Sequence, residues 1–328
     1  MQVVAITGPR QVELVERPDP VASEDFVVVK IHATPICTEY KAFLGGHPSA
    51  GLGHEAAGEV VAVSRPGRVR VGDRVAVMPQ TGCGRCPLCL AGEYIYCTNG
   101  PRVPTPTYAQ YVVKQDWLLV AIPEGVSYVH AGMACCGLGP TFGALRRIGA
   151  RSPDTVLISG MGPVGLGGVI NARALGARVI AVEGQPYRAQ LADALGAAVI
   201  DPADPLALEQ IRDLSAGGAD KGLDCSGSPA AQRLLIDAVR PRGEVAFIGE
   251  AGELSVDVSR DLLRKGLTLH GNWHYNLSDG QRVMRLIQRS GPALDHLITH
   301  VMPMALVRDA WELQARGECG KIVLEPWA

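Results

Sequence analysis

The alternation of apolar and polar positions divides the chain into three stretches of different period. From residue 1 to about 115, short β-branched runs at 26–31, 59–63, 74–78 and 109–113 are cut by Gly, Pro and Asp. Several short strands at that spacing predict a β-barrel or sandwich. Between about 137 and 272 the rhythm changes to strand–helix alternation, with strands expected at 155–159, 178–182, 198–200, 222–225, 244–248 and 267–270. Helices fit the gaps, and one opens at Ser228-Pro229 as cap and first residue. Such alternation implies a parallel, doubly wound sheet. The last stretch is mixed. Ser278-Asp279-Gly280-Gln281 reads as a capping box before the apolar stripe Val283, Leu286 and Ile287, and a strand at 321–324 is expected to return to the first domain.

The strongest local pattern runs from Thr155 to Glu183: apolar strand, glycine-rich turn, helix, second strand. The turn Gly160-Met161-Gly162-Pro163-Val164-Gly165 fits G-x-G-x-x-G, and it follows a predicted strand and opens a predicted helix, as that motif requires. The first glycine makes a tight turn, the second lets backbone approach a pyrophosphate, and the third lets helix and strand pack closely. Pro163 falls where the helix starts and its missing N–H costs nothing. The helix N-terminus then offers N–H groups and a positive dipole end to an anion. Glu183 closes the second strand, where a carboxylate accepts from both ribose hydroxyls and repels a 2′-phosphate, so NAD is favoured over NADP. Arg188 either reaches the adenosine end or is a solvated helix charge. A structural turn with a chance glycine pattern is the plainer alternative.

Composition narrows the classes. With 328 residues, 47% apolar and 20% charged, the chain has room for two domains with sizeable cores. A formal net charge of −2 with interspersed signs argues against a nucleic-acid groove or an anionic membrane surface. The start of the chain lacks a basic leader followed by an apolar core, and its most apolar stretch is broken by glycines and Pro163, so a cytoplasmic protein without a membrane span is expected. Nine cysteines, an odd number with four inside one short segment, point to metal ligation instead of a disulfide framework.

That segment is Cys83, Cys86, Cys89 and Cys97, spaced C-x2-C-x2-C-x7-C. Two-residue gaps turn successive thiolates toward one point and the longer gap closes a tetrahedron. Zinc is the first reading, with an iron–sulfur cluster or free thiols as alternatives. Four thiolates on Zn²⁺ leave no open position, so its role is structural, with apparent binding energy of about 10–16 kcal/mol. A basic helix beside the cluster, which a nucleic-acid-reading finger needs, is missing.

A sparser set comprises Cys37, the run Gly53-His54-Glu55, and the adjacent pair Cys135-Cys136. Taken singly, such residues are ordinarily core or satisfied polar groups. Together with the cysteine lobe, the glycine turn, Val71-Gly72-Asp73-Arg74-Val75 and the ending Gly320-Lys321-Ile322-Val323-Leu324, the chain resembles the zinc-dependent medium-chain alcohol and polyol dehydrogenases along essentially its whole length. The resemblance implies an α/β fold. A GroES-like β-barrel catalytic domain (1–137 and 273–328, with a structural zinc lobe at 82–98) accompanies a Rossmann NAD-binding domain (138–272), with the active site between them. It implies a catalytic zinc on Cys37, His54 and one of Cys135 or Cys136, Cys136 being preferred, with Glu55 behind the ligands or as an occasional extra one. It implies two zinc ions per chain, NAD, a small-molecule alcohol or carbonyl substrate, and a homodimer or homotetramer built through the Rossmann edge. Two thiolates, a neutral imidazole and Zn²⁺ sum to zero charge and leave one position for substrate, where zinc would stabilise an alkoxide while hydride leaves for the nicotinamide.

One departure stands out. The family usually follows the catalytic cysteine with a small residue, Ser or Thr, then Asp, whereas here the run is Cys37-Thr38-Glu39-Tyr40. Glu39 is expected in the hydroxyl position and Tyr40 in the carboxylate position, with Glu39, or Thr38 if the register slips, passing the alcohol proton onward; a solvated loop carboxylate is the plain alternative for Glu39. Trp273-His274-Tyr275 is expected to pack in the core, with reaching the cleft as the alternative. The expected activity is NAD- and zinc-dependent oxidation of a secondary alcohol or polyol (EC 1.1.1.-). Alternatives are a threonine-type amino-alcohol dehydrogenase, a carbonyl reductase, or an inactive homologue that binds the same cofactors.

Overall fold

Valine-rich runs build the sheets of the first unit. The computed structural model, which describes residues 1–101 and 103–328, opens with an antiparallel hairpin of β1 (Gln2–Gly8) and β2 (Gln11–Glu16). β3 (Phe26–Pro35), β4 (Ala56–Ala62), β5 (Arg74–Val77), β6 (Tyr111–Gln115) and β7 (Leu119–Ala121) follow. Next come β8 (Thr155–Ser159), β9 (Arg178–Val182), β10 (Ala198–Ile200), β11 (Ala219–Asp224), β12 (Val239–Phe247) and β13 (Thr268–Gly271). β14 (Ile298–Pro303) and β15 (Lys321–Glu325) end the series. The chain divides into two units, Met1–Cys136 with Asn276–Ala328, and Gly137–Tyr275.

In the first unit the strands order as β14-β15-β3-β4-β5-β7, with β6 also on β3. β3 is therefore central, which explains why its sequence is a nearly unbroken apolar run instead of an alternation. Its inward residues Val27, Val29 and Ile31 pack with Ala56, Val60, Val75 and Val77. The far end of β3 runs beyond the predicted 26–31 because β15 pairs there, with Val323 opposite Pro35 and Leu324 opposite Thr34. A second core gathers Phe43, Tyr108, Trp311 and Ile322.

The second unit is a six-stranded parallel sheet ordered β10-β9-β8-β11-β12-β13, the doubly wound order. β8, β9 and β10 fall on the predicted spans, while β12 begins earlier than predicted, at Val239. The order reverses direction beside β8, so the carboxyl ends of β8 and β11 flank the crevice where this fold takes ligands.

Two local expectations fail. The predicted capping box does not form: a 3₁₀ turn, Leu277–Asp279, precedes the helix Gly280–Arg289. Asn276 caps that turn by accepting from Ser278 N at 2.9 Å, and Asp279 instead pairs with Arg282 at 2.9 Å. The asparagine wins because its amide also donates to Ala91 O (2.8 Å) and Glu93 Oε1 (2.9 Å), which fixes it one turn earlier. Trp273 is not core but 45% exposed, whereas His274 and Tyr275 are buried. Among the described residues no helix is long and apolar enough to cross a membrane.

Candidate metal and cofactor sites

Cys37 lies two residues past β3, held on both sides of its peptide. Ile36 N donates to Ile322 O of β15 at 3.0 Å, and Gln314 Nε2 donates to Cys37 O at 2.6 Å. His54 and Glu55 immediately precede β4, where Thr34 Oγ1 donates to Glu55 O at 2.8 Å. Gly53 takes φ +86°, and a side chain there would meet Thr107 Oγ1 at 2.5 Å and the Tyr108 ring at 2.7 Å, so glycine is required before the histidine. Cys136 ends the first segment of the unit, just after the 3₁₀ turn Gly132–Ala134.

These approaches bring one donor atom each from Cys37, His54, Glu55 and Cys136 within 4.8 Å of one another. His54 Nε2 is 3.1 Å from Cys136 Sγ. The neighbouring Cys135 sulfur is outside that group of four and donates to His54 O at 3.5 Å. On the other edge of the imidazole, Nδ1 is 2.7 Å from Glu39 Oε1. A neutral imidazole bonded this way carries its proton on Nδ1 and presents the Nε2 lone pair to the thiols.

Glu39 is therefore not a solvated loop carboxylate. Only 12% of its side chain is exposed, and its second oxygen accepts from Tyr108 Oη (2.8 Å) and Cys37 N (3.2 Å). The expected assignment of Tyr40 to a carboxylate position also fails, since Tyr40 opens the helix Tyr40–Gly45 and packs on the apolar core. Sequence register alone could not say which side chain turns inward.

Beside this cluster sits an ion pair that sequence reading missed. Lys321 Nζ is 2.6 Å from Glu55 Oε1, and both side chains are fully buried. Glu55 Oε2 accepts from Cys136 N at 3.2 Å. Burial is the largest influence on Glu55 and pushes its pKa up to about 8, against the pull of Lys321. Burial opposes charge on Lys321 too, yet Glu55 and the thiols of Cys37 and Cys136 outweigh it and leave the lysine pKa above its ordinary value. With the two atoms at hydrogen-bond distance and no water contact, the ionised pair is the state that satisfies both groups. A lone lysine at the head of the apolar run 321–324 was the available signal.

The charge pattern asks for a cation. The Cys37 thiol is held well below its ordinary value, chiefly by the Cys136 thiol, with burial opposing and Lys321 and His54 assisting. Burial opposes charge on His54, but Cys37 and Glu39 drive its pKa up to about 12. Two soft sulfurs and an imidazole nitrogen, converging in a polar pocket that favours positive charge, fit zinc.

The second group in this unit, Cys83, Cys86, Cys89 and Cys97, also places its four sulfurs within 4.8 Å. Cys86 Sγ to Cys97 Sγ and Cys83 Sγ to Cys89 Sγ are each 3.9 Å. The short helix Pro87–Leu90 and the 3₁₀ turn Tyr94–Tyr96 fold the lobe, and Tyr94 Oη ties it to Pro79 O at 2.9 Å. Backbone N–H groups of Arg85 and Cys86 lower the Cys83 thiol to about 6, whereas burial raises Cys89 to about 12. Four sulfurs with no carboxylate or water position suit a closed tetrahedral site.

In the second unit, the helix Pro163–Ala174 starts with Pro163 directly after Gly162. Gly160 has φ +82°, and a side chain there would strike Ser226 Cα at 2.7 Å. A side chain on Gly165 would strike Gly160 O at 1.9 Å. At Gly162, by contrast, it would meet nothing within 4 Å, so this is where the backbone lies open to a ligand. The N–H groups of Val164 and Gly165 fall in the first helical turn, which has no intrahelical acceptors. Glu183 braces the turn: Oε2 accepts from Met161 N at 2.6 Å and Oε1 from Gln185 N at 2.8 Å, which leaves further lone pairs for a hydroxyl donor. Arg188 sits in the first turn of the helix Pro186–Ala194, where its N–H donates to Gln185 Oε1 at 3.1 Å.

Asp224, at the carboxyl end of β11, is a further residue missed in sequence. It is fully buried, and Oδ1 accepts from Ser159 Oγ (3.0 Å), Ser226 N (3.0 Å) and Ser226 Oγ (2.7 Å). Oδ2 accepts from Gln232 Nε2 at 2.7 Å and Gly227 N at 3.3 Å. The carboxylate thereby fixes the turn that packs against Gly160. An aspartate closing a strand, followed by Cys-Ser-Gly, was the signal.

Comparison with known proteins agrees with this geometry. Residues 23–124 match the family described as alcohol dehydrogenase GroES-like domain, and residues 163–289 match zinc-binding dehydrogenase. The chain is 35% identical over 331 residues to an L-threonine 3-dehydrogenase of Symbiobacterium thermophilum, covering 95% of this chain and 94% of that one. It is 33% identical over 283 residues to the zinc-type alcohol dehydrogenase-like protein YphC of Escherichia coli, covering 83% and 80%. Its fold superposes on the alcohol dehydrogenase TADH of Thermus sp. ATN1 with a TM-score of 0.91 at 26% identity, covering 99% of both chains.

Proposed function

The chain belongs to the zinc-dependent medium-chain alcohol dehydrogenase family, and on that premise we propose how its residues divide the work. It is an oxidoreductase that transfers a hydride between NAD and the carbinol carbon of an alcohol, polyol or related hydroxy compound. Cys37, His54 and Cys136 hold the catalytic zinc, and Cys83, Cys86, Cys89 and Cys97 hold the structural one. The convergence of Cys37 Sγ, His54 Nε2 and Cys136 Sγ beside a carboxylate already committed to Lys321 carries the reading. Bound there, zinc supplies a Lewis acid that favours loss of the substrate hydroxyl proton, and NAD supplies the hydride acceptor.

The chain's own residues prepare that chemistry. Glu39 fixes the His54 ring instead of passing a proton, since both its oxygens are engaged. The proton-passing hydroxyl in this reading is Thr38, which is exposed. Lys321 draws the Glu55 carboxylate toward itself, which leaves a coordination position for substrate. Gly162 and the helix start at Pro163 receive the NAD pyrophosphate, and Glu183 faces the ribose and selects against a 2′-phosphate. A 3-hydroxy amino acid is the second candidate substrate, supported by the relative named for L-threonine.

The test is NADH absorbance with the purified protein against secondary alcohols, polyols and L-threonine. Turnover is expected with NAD on at least one hydroxy compound and at least about tenfold less with NADP, the repulsion at Glu183 being worth about 1.4 kcal/mol or more. No reduction of either cofactor across the panel would reject the assignment.

A further inference from the structure

Tyr108 lies more than fifty residues from each metal-site residue it serves and carries no motif, yet its phenol sits at the junction of two of them. Its side chain is fully buried. The hydroxyl donates to Glu39 Oε2 at 2.8 Å and receives Cys37 N at 3.2 Å, while the same Cys37 N–H also reaches Glu39 Oε2 at 3.2 Å. The other oxygen of Glu39 is the one on His54 Nδ1, at 2.7 Å. One hydroxyl therefore touches both the peptide that carries one sulfur ligand and the carboxylate that orients the imidazole ligand.

The ring is built into place. Gly53, directly before His54, has no side chain, and a Cβ there would lie 2.7 Å from Tyr108 Cδ1, so ring and ligand loop pack in direct contact. On another side the ring meets Trp311 at 6.0 Å between centroids. A carboxylate with free torsion could offer Nδ1 either oxygen or swing away. One donating phenol on Oε2 removes that freedom, because Oε1 is then the oxygen left for the imidazole.

We propose that Tyr108 is a positioning residue of the catalytic metal site, acting through Glu39 to fix the tautomer and angle of His54 and through Cys37 N to fix the first sulfur ligand. The proposal rests on the assignment of Cys37, His54 and Cys136 as zinc ligands. It gives a physical reason for a buried polar aromatic where phenylalanine would pack equally well.

The test uses the full chain loaded with zinc or cobalt(II), comparing wild type, Tyr108→Phe, Glu39→Gln and His54→Ala. Metal affinity is read by chelator competition and the ligand field by the cobalt visible spectrum. Tyr108→Phe keeps the ring and is expected to weaken one metal site by about 10–100-fold, the usual effect of losing an outer partner of a ligand histidine, with a shifted cobalt band and an unchanged four-cysteine site. The double variant with Glu39→Gln should be weakened less than the two single losses combined, because part of each effect runs through one imidazole while the contact to Cys37 N is separate. If His54→Ala loses one metal ion while Tyr108→Phe leaves affinity and spectrum as in wild type, the proposal fails and the ligand assignment stands. If His54→Ala retains both ions, the ligand assignment fails and takes the proposal with it.

Discussion

Replacing Lys321 by methionine removes the positive half of a pair that has no access to solvent on either side. The Glu55 carboxylate would then keep the hydrogen bond from Cys136 N, at 3.2 Å. Breaking a buried pair from one side costs about 3–5 kcal/mol, because the uncompensated charge stays behind. In a unit of this size, each kcal/mol moves the melting midpoint by about 2–4 °C, so a fall of about 6–20 °C is expected for the first unit. Circular dichroism melting of the zinc-loaded variant measures it. Lys321→Met combined with Glu55→Gln should recover most of the loss, since removing both charges is often close to neutral and the amide oxygen still accepts from Cys136 N. A single variant that melts within about 2 °C of wild type would refute the reasoning.

Two more predictions follow from buried groups. Lys114 is buried in β6 with its ammonium donating to Gln80 O, and burial lowers its pKa to about 7. Its folded pKa lies below its unfolded one, so the unfolded chain binds the extra proton between about pH 7 and 10.4. Stability contributed by this site therefore rises with pH across that window, and the penalty is full below pH 7. Lys114→Met should gain stability on the order of a few kcal/mol at pH 6–7, with the gain shrinking toward pH 10, measured as denaturation midpoints; a pH-independent difference would contradict this. Asp224→Asn should weaken NADH binding by about tenfold or more, as titrated by fluorescence, with the zinc count unchanged, because an amide group cannot accept every donor the carboxylate now takes. Unchanged NADH affinity would show that the turn Asp224 fixes beside Gly160 has no part in holding the cofactor.

What the sequence revealed, and what it hid, follows from contact range. The glycine turn and the four-cysteine lobe were readable because all their members lie within one supersecondary unit, where spacing nearly fixes geometry. The doubly wound sheet was readable from its strand–helix rhythm. Lys321 and Gln314 were not, since the pairing of β15 with β3 brings Lys321 to Glu55 and the packing of the helix Val307–Arg316 brings Gln314 to Cys37, each across most of the chain. Glu39 was noticed but turned the wrong way. Loop register decides whether a carboxylate meets water or an imidazole, and here His54 on one oxygen and Tyr108 and Cys37 N on the other hold it inward. The capping box failed for a similar reason, because Asn276 answers to Ala91 and Glu93, far away in sequence.

The central claim is that two distinct cysteine-containing sites each hold a zinc ion and that the one at Cys37, His54 and Cys136 is the catalytic one. Elemental analysis of the purified chain tests it directly. Two zinc ions per chain are expected, with one lost in Cys37→Ser or in His54→Ala while NADH binding persists. A single zinc ion that survives both substitutions would contradict the account.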